Sequence, residues 1–225
     1  MTALDQQGFD RTEVSQCREA SDSEDTSVLT DIYRDDTNMV IWRRGLSPFL
    51  QSSVNDFLDT NNQFAAMISV TPKHAQSSII ESLGHTECAV ELSENIAELV
   101  DMFCCLFGLQ QAGLRLTVLS AAMCPRFHVD RVPCRLITTY HGSGTEWLPH
   151  QYVDRTKLGA GNLGLADDQS GLFQCAENIQ QLTSGDVALL KGEGWEGNEN
   201  AGLVHRSPST MPGEARLLLT LDFVA

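Results

Sequence analysis

The feature of this sequence that most constrains its fold is a change of pattern at Gly113. Beyond it, short apolar or alternating segments follow one another, separated by clusters of Gly, Pro and Asn. This pattern is typical of strands joined by turns. Five such segments are LRLTVLS (114–120), CRLITTYHG (134–142), DVALLKG (186–192), GLVHRS (202–207) and ARLLLTLDFV (215–224). That many short strands predict a β-sandwich or jelly roll.

The last segment alternates most clearly. Side chains two residues apart on a strand share a face. One face of this segment therefore carries Leu217, Leu219, Leu221 and Phe223. The other face carries Arg216, Leu218, Thr220 and Asp222.

The first half of the chain reads as mainly helical. Ser47 is an expected N-cap with Pro48 at the first helical position, and a second helix over 71–84 is expected to stop at Gly84. The clearest helix covers 87–108, where apolar residues recur at three- and four-residue steps: Leu92, Ile96, Leu99, Phe103 and Leu106. We therefore predict an α+β fold with a mainly helical part at 39–112, containing one strand near 39–45, packed on a sheet-rich core at 113–225.

The charge of the chain restricts its partners and its surroundings. Residues 1–38 hold ten acidic residues and three arginines, which predicts a solvated, partly disordered N-terminal tail. The formal net charge of −15 argues against a nucleic-acid partner, since phosphate binding needs a basic face. No apolar run has the length of a membrane span, and the N-terminus does not read as a secretory signal. The seven scattered cysteines read as reduced thiols, so we expect a cytoplasmic protein.

The stretch FHVD places an imidazole and a carboxylate two residues apart. On a strand, His128 and Asp130 would project together, and His205 in the GLVHRS segment is the best candidate for a third ligand. Two histidines and one carboxylate on one face of an octahedron leave three positions open, which suits non-haem iron(II). The competing interpretation is that all three side chains are structural and satisfied by hydrogen bonds.

Eleven residues after His205, Arg216 begins the last strand. If the two strands lie close together, its guanidinium enters the same cavity as a planar clamp for a carboxylate. Pairing with one of the many surface acids is an equally weighted alternative.

This order of residues resembles the iron(II)- and 2-oxoglutarate-dependent dioxygenase superfamily: an HxD triplet, a long interval, a second His and then an Arg. The strand LRLTVLSAAMCPRFHVD, the strand CRLITTYHGSGTEW and the final pair of strands carry the resemblance, which covers about 113–224. The whole chain also looks like a bacterial family of uncharacterised proteins associated with metal-homeostasis genes. The superfamily resemblance implies a double-stranded β-helix, or cupin-like jelly roll, as the fold.

Residue by residue, the superfamily resemblance implies an iron(II) site at His128, Asp130 and His205, and Arg216 as the clamp for the distal carboxylate of 2-oxoglutarate. No residue matches the tyrosine or asparagine that often helps hold the oxo acid, so Tyr140 and Arg135 are the candidate substitutes. The implied activity is hydroxylation of a small-molecule or protein substrate that the sequence does not identify. A homodimer is one arrangement that the sequence leaves open.

Two further hypotheses use the same region differently. Cys124 and Cys134 flank the FHVD stretch, and thiolates with imidazoles favour zinc, although buried structural cysteines are the commoner case. The chain would then be a non-catalytic zinc protein of metal homeostasis. A cupin-like binding module without metal is the third hypothesis.

The glycine-rich loop KGEGWEGNENAG (191–202) precedes the segment of His205. It is read either as a plain connection or as a lid that brings Glu193, Trp195 and Glu196 to the substrate.

Overall fold

The computed structural model describes residues 17–211 and 213–224. Its strands are β1 (Glu19–Ser23), β2 (Thr37–Trp42), β3 (Ala65–Val70), β4 (Ala112–Leu119), β5 (Cys134–His141), β6 (Glu146–Leu148), β7 (Gln180–Gln181), β8 (Val187–Lys191), β9 (Val204–Arg206) and β10 (Arg216–Phe223). The α-helices are α1 (Pro48–Thr60), α2 (Ala75–Leu83) and α3 (Glu87–Phe107). The described part of the chain therefore has an α+β fold.

Two sheets organise these strands. The large sheet has seven strands in the order β1-β2-β8-β5-β10-β4-β3, and the small sheet has three in the order β7-β6-β9. β1 and β2 run parallel, whereas the other paired strands are antiparallel. β10 is the fifth strand in this order and is hydrogen-bonded to β4 on one side and to β5 on the other.

The helices cover one face of the large sheet. Ser47 caps α1 by accepting a hydrogen bond from the backbone N–H of Leu50, and Gly108 ends α3 in the left-handed conformation with φ 63°. Their apolar faces form one core with the inward face of β10. Core members include Val54, Phe57, Leu92, Ile96, Leu99, Phe103, Leu217, Leu219 and Leu221.

The small sheet packs against part of the other face of the large sheet. Trp147 and Leu203, from β6 and the approach to β9, share a buried cluster with Ile137 of β5, Ile41 of β2 and Leu190 of β8. The molecule thus has three layers: helices, large sheet and small sheet. The second face of β10, which points away from the helices, borders the space between the two sheets.

The five strand segments predicted beyond Gly113 are present as β4, β5, β8, β9 and β10. The alternation of β10 is also confirmed, because Leu217, Leu219 and Leu221 are in the helix-side core while Arg216, Leu218 and Thr220 border a cavity on the other side. The large sheet nevertheless begins well before 113, since β1, β2 and β3 supply three of its strands.

The acidic segment differs from its prediction where the structure describes it. Residues 17–38 fold into β1 and a 3₁₀ segment (Thr26–Tyr33), whose Val28, Leu29 and Ile32 are buried in the core. Asp25 caps that segment by accepting a hydrogen bond from the backbone N–H of Ser27. The acids stay on the exposed side while three apolar residues anchor the segment. Residues 1–16 of the predicted tail lie outside the described residues.

Within the described ranges, no helix combines the length and the apolar character that crossing a bilayer requires.

Candidate metal centre

The main chain brings the two candidate histidine ligands side by side. His128 and His205 form an isolated antiparallel bridge, with two backbone N–H···O=C hydrogen bonds of 3.0 Å. Their neighbours Phe127 and Val204 are buried together in an apolar cluster. Because adjacent side chains of extended backbone alternate, the imidazoles turn away from that cluster. Their ring centroids are 4.5 Å apart.

The Nδ1 atom of each imidazole is hydrogen-bonded to a backbone carbonyl group. His128 Nδ1 lies 2.9 Å from the carbonyl oxygen of Arg126, and His205 Nδ1 lies 3.3 Å from that of Leu203. A carbonyl only accepts, so Nδ1 carries the proton and donates it. The lone pair is therefore on Nε2, on the side that faces Asp130, as in histidines that bind metals through Nε2.

Asp130 completes a group of three ligand-bearing side chains. Its Oδ1 is 3.7 Å from His128 Nε2, and its Oδ2 is 3.5 Å from His205 Nε2. One ligand atom from each residue lies within 4.8 Å of the other two. Metal–ligand bonds of about 2.0–2.2 Å at right angles put neighbouring ligand atoms about 3 Å apart, so only small shifts would close the group around a cation. The donor set fits an octahedral iron or a zinc ion.

The electrostatics favour the ligand form of His205. Burial lowers the pKa of His205 to about 4, an effect that Asp130 partly opposes and His128 reinforces. The imidazole is therefore neutral near pH 7, which is the form that binds a metal.

Arg135 holds the carboxylate of Asp130 in place. Its Nη1 donates to Asp130 Oδ2 at 2.7 Å, while its Nε and Nη2 donate to the two oxygens of Asp222 at 2.8 and 2.9 Å. Arg135, predicted as a 2-oxoglutarate contact, lines the cavity but is already committed to two carboxylates. Its observed contacts make it a positioning residue for Asp130.

Arg216 faces the same cavity but, unlike Arg135, is hydrogen-bonded to threonines and not to carboxylates. It is 2% exposed, and its Nη2 donates to Thr139 Oγ1 at 3.1 Å and to Thr145 Oγ1 at 2.8 Å. Its Nε is buried without any hydrogen-bond partner. Burial lowers its pKa to about 10, so the guanidinium is still charged at neutral pH. A buried charge without a carboxylate is costly, and an anionic ligand in the cavity would relieve that cost.

Tyr140, the other predicted contact for the oxo acid, is placed elsewhere. Its ring belongs to the helix-side core, and its hydroxyl donates to Asn95 Oδ1 at 2.8 Å. Arg135 and Ile137 line the cavity, so strand alternation turns Tyr140 to the opposite face. Its position does not support the predicted role.

The cysteines do not assemble with the histidines. Cys134 is buried in the helix-side core, and burial raises the pKa of its thiol. Cys124 is exposed and lines the cavity. Among the described residues, no group of three potential metal ligands includes a cysteine.

The glycine-rich loop packs behind Asp130 instead of over the cavity. Gly192 N–H donates to Pro133 O, and Glu193 N–H donates to Asp130 O at 2.9 Å. A Cβ on Gly192 would lie 2.1 Å from the carbonyl oxygen of Val132, so only glycine allows this approach. The ring centroid of Trp195 lies 4.8 Å from Lys191 Nζ, and the ring packs against the helix-side core. The loop therefore supports the Asp130 segment, an arrangement that agrees with the plain connection and not with the lid.

Several residues of this site were not singled out from the sequence. Asp222 binds Arg135 across 87 residues, and Thr139 and Thr145 bind Arg216. Alternation along β10 and β5 could have indicated Asp222 and Thr139. No local signal marks Thr145.

Comparison with solved structures identifies the architecture. The crystal structure of a dioxygenase for auxin oxidation from rice superposes with a TM-score of 0.50 at 13% identity, covering 92% of this chain and 83% of that one. The 2-oxoglutarate complex of dioxygenase for auxin oxidation 1 from Arabidopsis thaliana gives 0.48 at 11% identity, covering 92% of both chains. The superposition with the rice protein shows that the two chains share a fold.

The comparison with curated proteins found no match. Residues 23–222 match the family described as "Protein of unknown function (DUF1826)". That match covers most of the sequence, and the chain belongs to the DUF1826 family.

Proposed function

We propose that this protein is an iron(II)- and 2-oxoglutarate-dependent oxygenase built on a double-stranded β-helix. One observation supports the proposal most: the ligand atoms of His128, Asp130 and His205 converge beside a cavity that also contains the buried, carboxylate-free guanidinium of Arg216. A metal centre and an anion clamp in one cavity match the two ends of an oxo acid. The fold shared with the rice dioxygenase agrees with this arrangement.

Each residue has a distinct task in the proposed site. His128, Asp130 and His205 would hold the metal on one face, and Arg216 would bind the distal carboxylate of 2-oxoglutarate through its free Nε–H. When bound, iron(II) supplies the activation of oxygen, coupled to decarboxylation of the oxo acid to succinate. Thr139 and Thr145 fix the direction of the Arg216 guanidinium.

The test combines metal content with turnover. Protein purified without chelator is loaded anaerobically with iron(II), and oxygen consumption and succinate are measured on adding 2-oxoglutarate. His128→Ala and Asp130→Ala should lose metal binding and turnover, since each removes one of three ligands. His85→Ala, at an exposed position between α2 and α3, is the matched control and should retain both. Wild-type protein that binds iron(II) but not 2-oxoglutarate would disprove the proposal.

A non-catalytic zinc protein is the second candidate, because the two imidazoles and the carboxylate of the same group also suit zinc. It predicts tightly bound zinc and no oxygen consumption with any loaded metal.

A further inference from the structure

The cavity beside the metal centre is basic in an otherwise acidic protein. The net charge of the chain is −15, yet four arginines line this cavity and no acidic side chain of the described residues does so: Arg115, Arg135, Arg206 and Arg216. Focused positive charge in a concave site attracts anions and repels cations. The four arginines are not equivalent, however, because carboxylates already neutralise two of them.

Arg135 is paired with Asp130 and Asp222, and Arg206 is paired with Glu146 at 2.6 Å and with Asp167 at 3.3 Å. In the described part of the chain, neither Arg115 nor Arg216 has a carboxylate within ion-pair distance. Under the proposed function, 2-oxoglutarate occupies Arg216. Arg115 is left as an uncommitted, half-buried cation in the same cavity.

The sheet register separates these two arginines. Arg115 on β4 lies opposite Thr220 of β10, and Ile137 of β5 lies opposite the same threonine on the other side. Arg115 is therefore in the row next to Arg135, at the end of the sheet where Asp130 is held. Arg216 is four residues away along β10, or about 13 Å at the rise of a strand. The two arginines are therefore attached at well-separated rows of the cavity face of the sheet.

Apolar side chains make up part of the surroundings of Arg115. Ile137 and Leu218 line the cavity on neighbouring strands, and Met123 lines it from the segment before His128. Met67, directly opposite Arg115 on β3, is 70% exposed, and its sulfur is 4.0 Å from Arg115 Nη2. Flexible thioethers are common at binding surfaces that adapt to apolar ligands. A charged clamp beside such a wall fits a molecule with an anionic group and an apolar body.

Resting on the proposed function, we propose that the substrate is an organic anion with an apolar body, and that Arg115 binds its anionic group and determines specificity. A guanidinium binds a carboxylate through two parallel hydrogen bonds, and this contact would hold the apolar part against Leu218 and Ile137, in the cavity that His128 and His205 also line.

The test uses binding, so that it does not depend on turnover. Straight-chain carboxylates from acetate to octanoate and their matched primary amides are titrated calorimetrically into zinc-loaded protein saturated with 2-oxoglutarate. The variants are Arg115→Met, Arg115→Lys, Arg216→Met and, as a control, Arg131→Met at an exposed position outside the cavity. Binding of 2-oxoglutarate itself is measured separately for each protein.

We expect wild-type protein to bind the longer carboxylates about tenfold more tightly than their amides. Arg115→Met should lose this preference, Arg115→Lys should keep part of it, and Arg131→Met should keep it fully. A preference that survives in Arg115→Met, is lost only in Arg216→Met or is absent throughout the wild-type series would overturn the inference. Failure of the proposed function would be seen separately, as wild-type protein that does not bind 2-oxoglutarate.

Discussion

The two faces of the eight-residue strand β10 differ in character: one face packs in the core, and the other carries polar side chains of the candidate site. Toward the helices, Leu217, Leu219 and Leu221 are fully buried in a continuous apolar core. Toward the cavity, the same strand presents Arg216 and Asp222, one buried without a carboxylate and the other tied to Arg135. One strand can carry both because its side chains alternate with a period of two. The apolar face can hold the strand in place, while the polar face carries the buried charge of Arg216, whose burial costs free energy.

The largest expected effect comes from the helix-side face. Leu219→Ala should lower the free energy of unfolding by about 2–5 kcal/mol, because it opens a cavity in a packed core. Metal affinity of the folded variant should be unchanged. Chemical denaturation and metal titration check the two statements. Leu218→Ala, the neighbour on the cavity face, is the matched control and should cost clearly less; equal losses would remove the distinction between the faces.

The next effect concerns the paired arginine. Arg135→Met leaves the carboxylates of Asp130 and Asp222 without their partner, so we expect a loss of about 1–3 kcal/mol, discounted because the side chain is 26% exposed. Metal affinity should fall about 10- to 100-fold, since Asp130 loses the group that orients it. Both quantities can be measured on the same preparation.

Arg43→Met provides the control for Arg135, since Arg43 also bridges two carboxylates, Asp22 and Asp186, away from the metal centre. It should lose stability without losing metal affinity. Metal affinity that falls equally in both variants would show that Arg135 acts through general stability alone.

The smallest effect on the ligand-free protein is expected at the unpaired arginine. Arg216→Met removes a buried charge that has only two threonine partners, so stability should change by less than about 1 kcal/mol and can increase. With zinc and 2-oxoglutarate at about a hundred times the dissociation constant, wild-type protein should gain about 2.7 kcal/mol. The variant should gain far less, as measured by denaturation with and without the oxo acid. Thr145→Val should fall between them, and an equal gain in all three proteins would contradict the anion clamp.

What the sequence could predict here is what depends on local period. The capping of α1 by Ser47, the end of α3 at Gly108 and the position of Arg216 on the face of β10 opposite the leucines all follow from neighbouring residues. The same rule, applied from Arg135, would have turned Tyr140 away from the cavity. FHVD was expected on a regular strand, whereas the structure gives His128 a single bridge to His205.

The rest depends on contacts between distant segments. The link from Arg135 to Asp222 requires the register of two strands 87 residues apart. β1 pairs in parallel with β2, and its acidic sequence conceals this because the charges face solvent while the adjoining 3₁₀ segment supplies the buried apolar residues. The support that Gly192 and Glu193 give to the Asp130 segment likewise depends on how a loop returns to the sheet.

The reciprocal main-chain hydrogen bonds between His128 and His205 have a consequence for metal exchange. Under the proposed function, two donors whose backbones are fixed to each other form a preorganised chelate, so an incoming ion need not draw two distant segments together. Replacing His128 or His205 by a smaller residue should leave a gap of defined shape, which free imidazole added to the solution can fill. Zinc competes well against ferrous iron for nitrogen and oxygen donors, so the cellular supply of each ion would decide which one occupies this chelate.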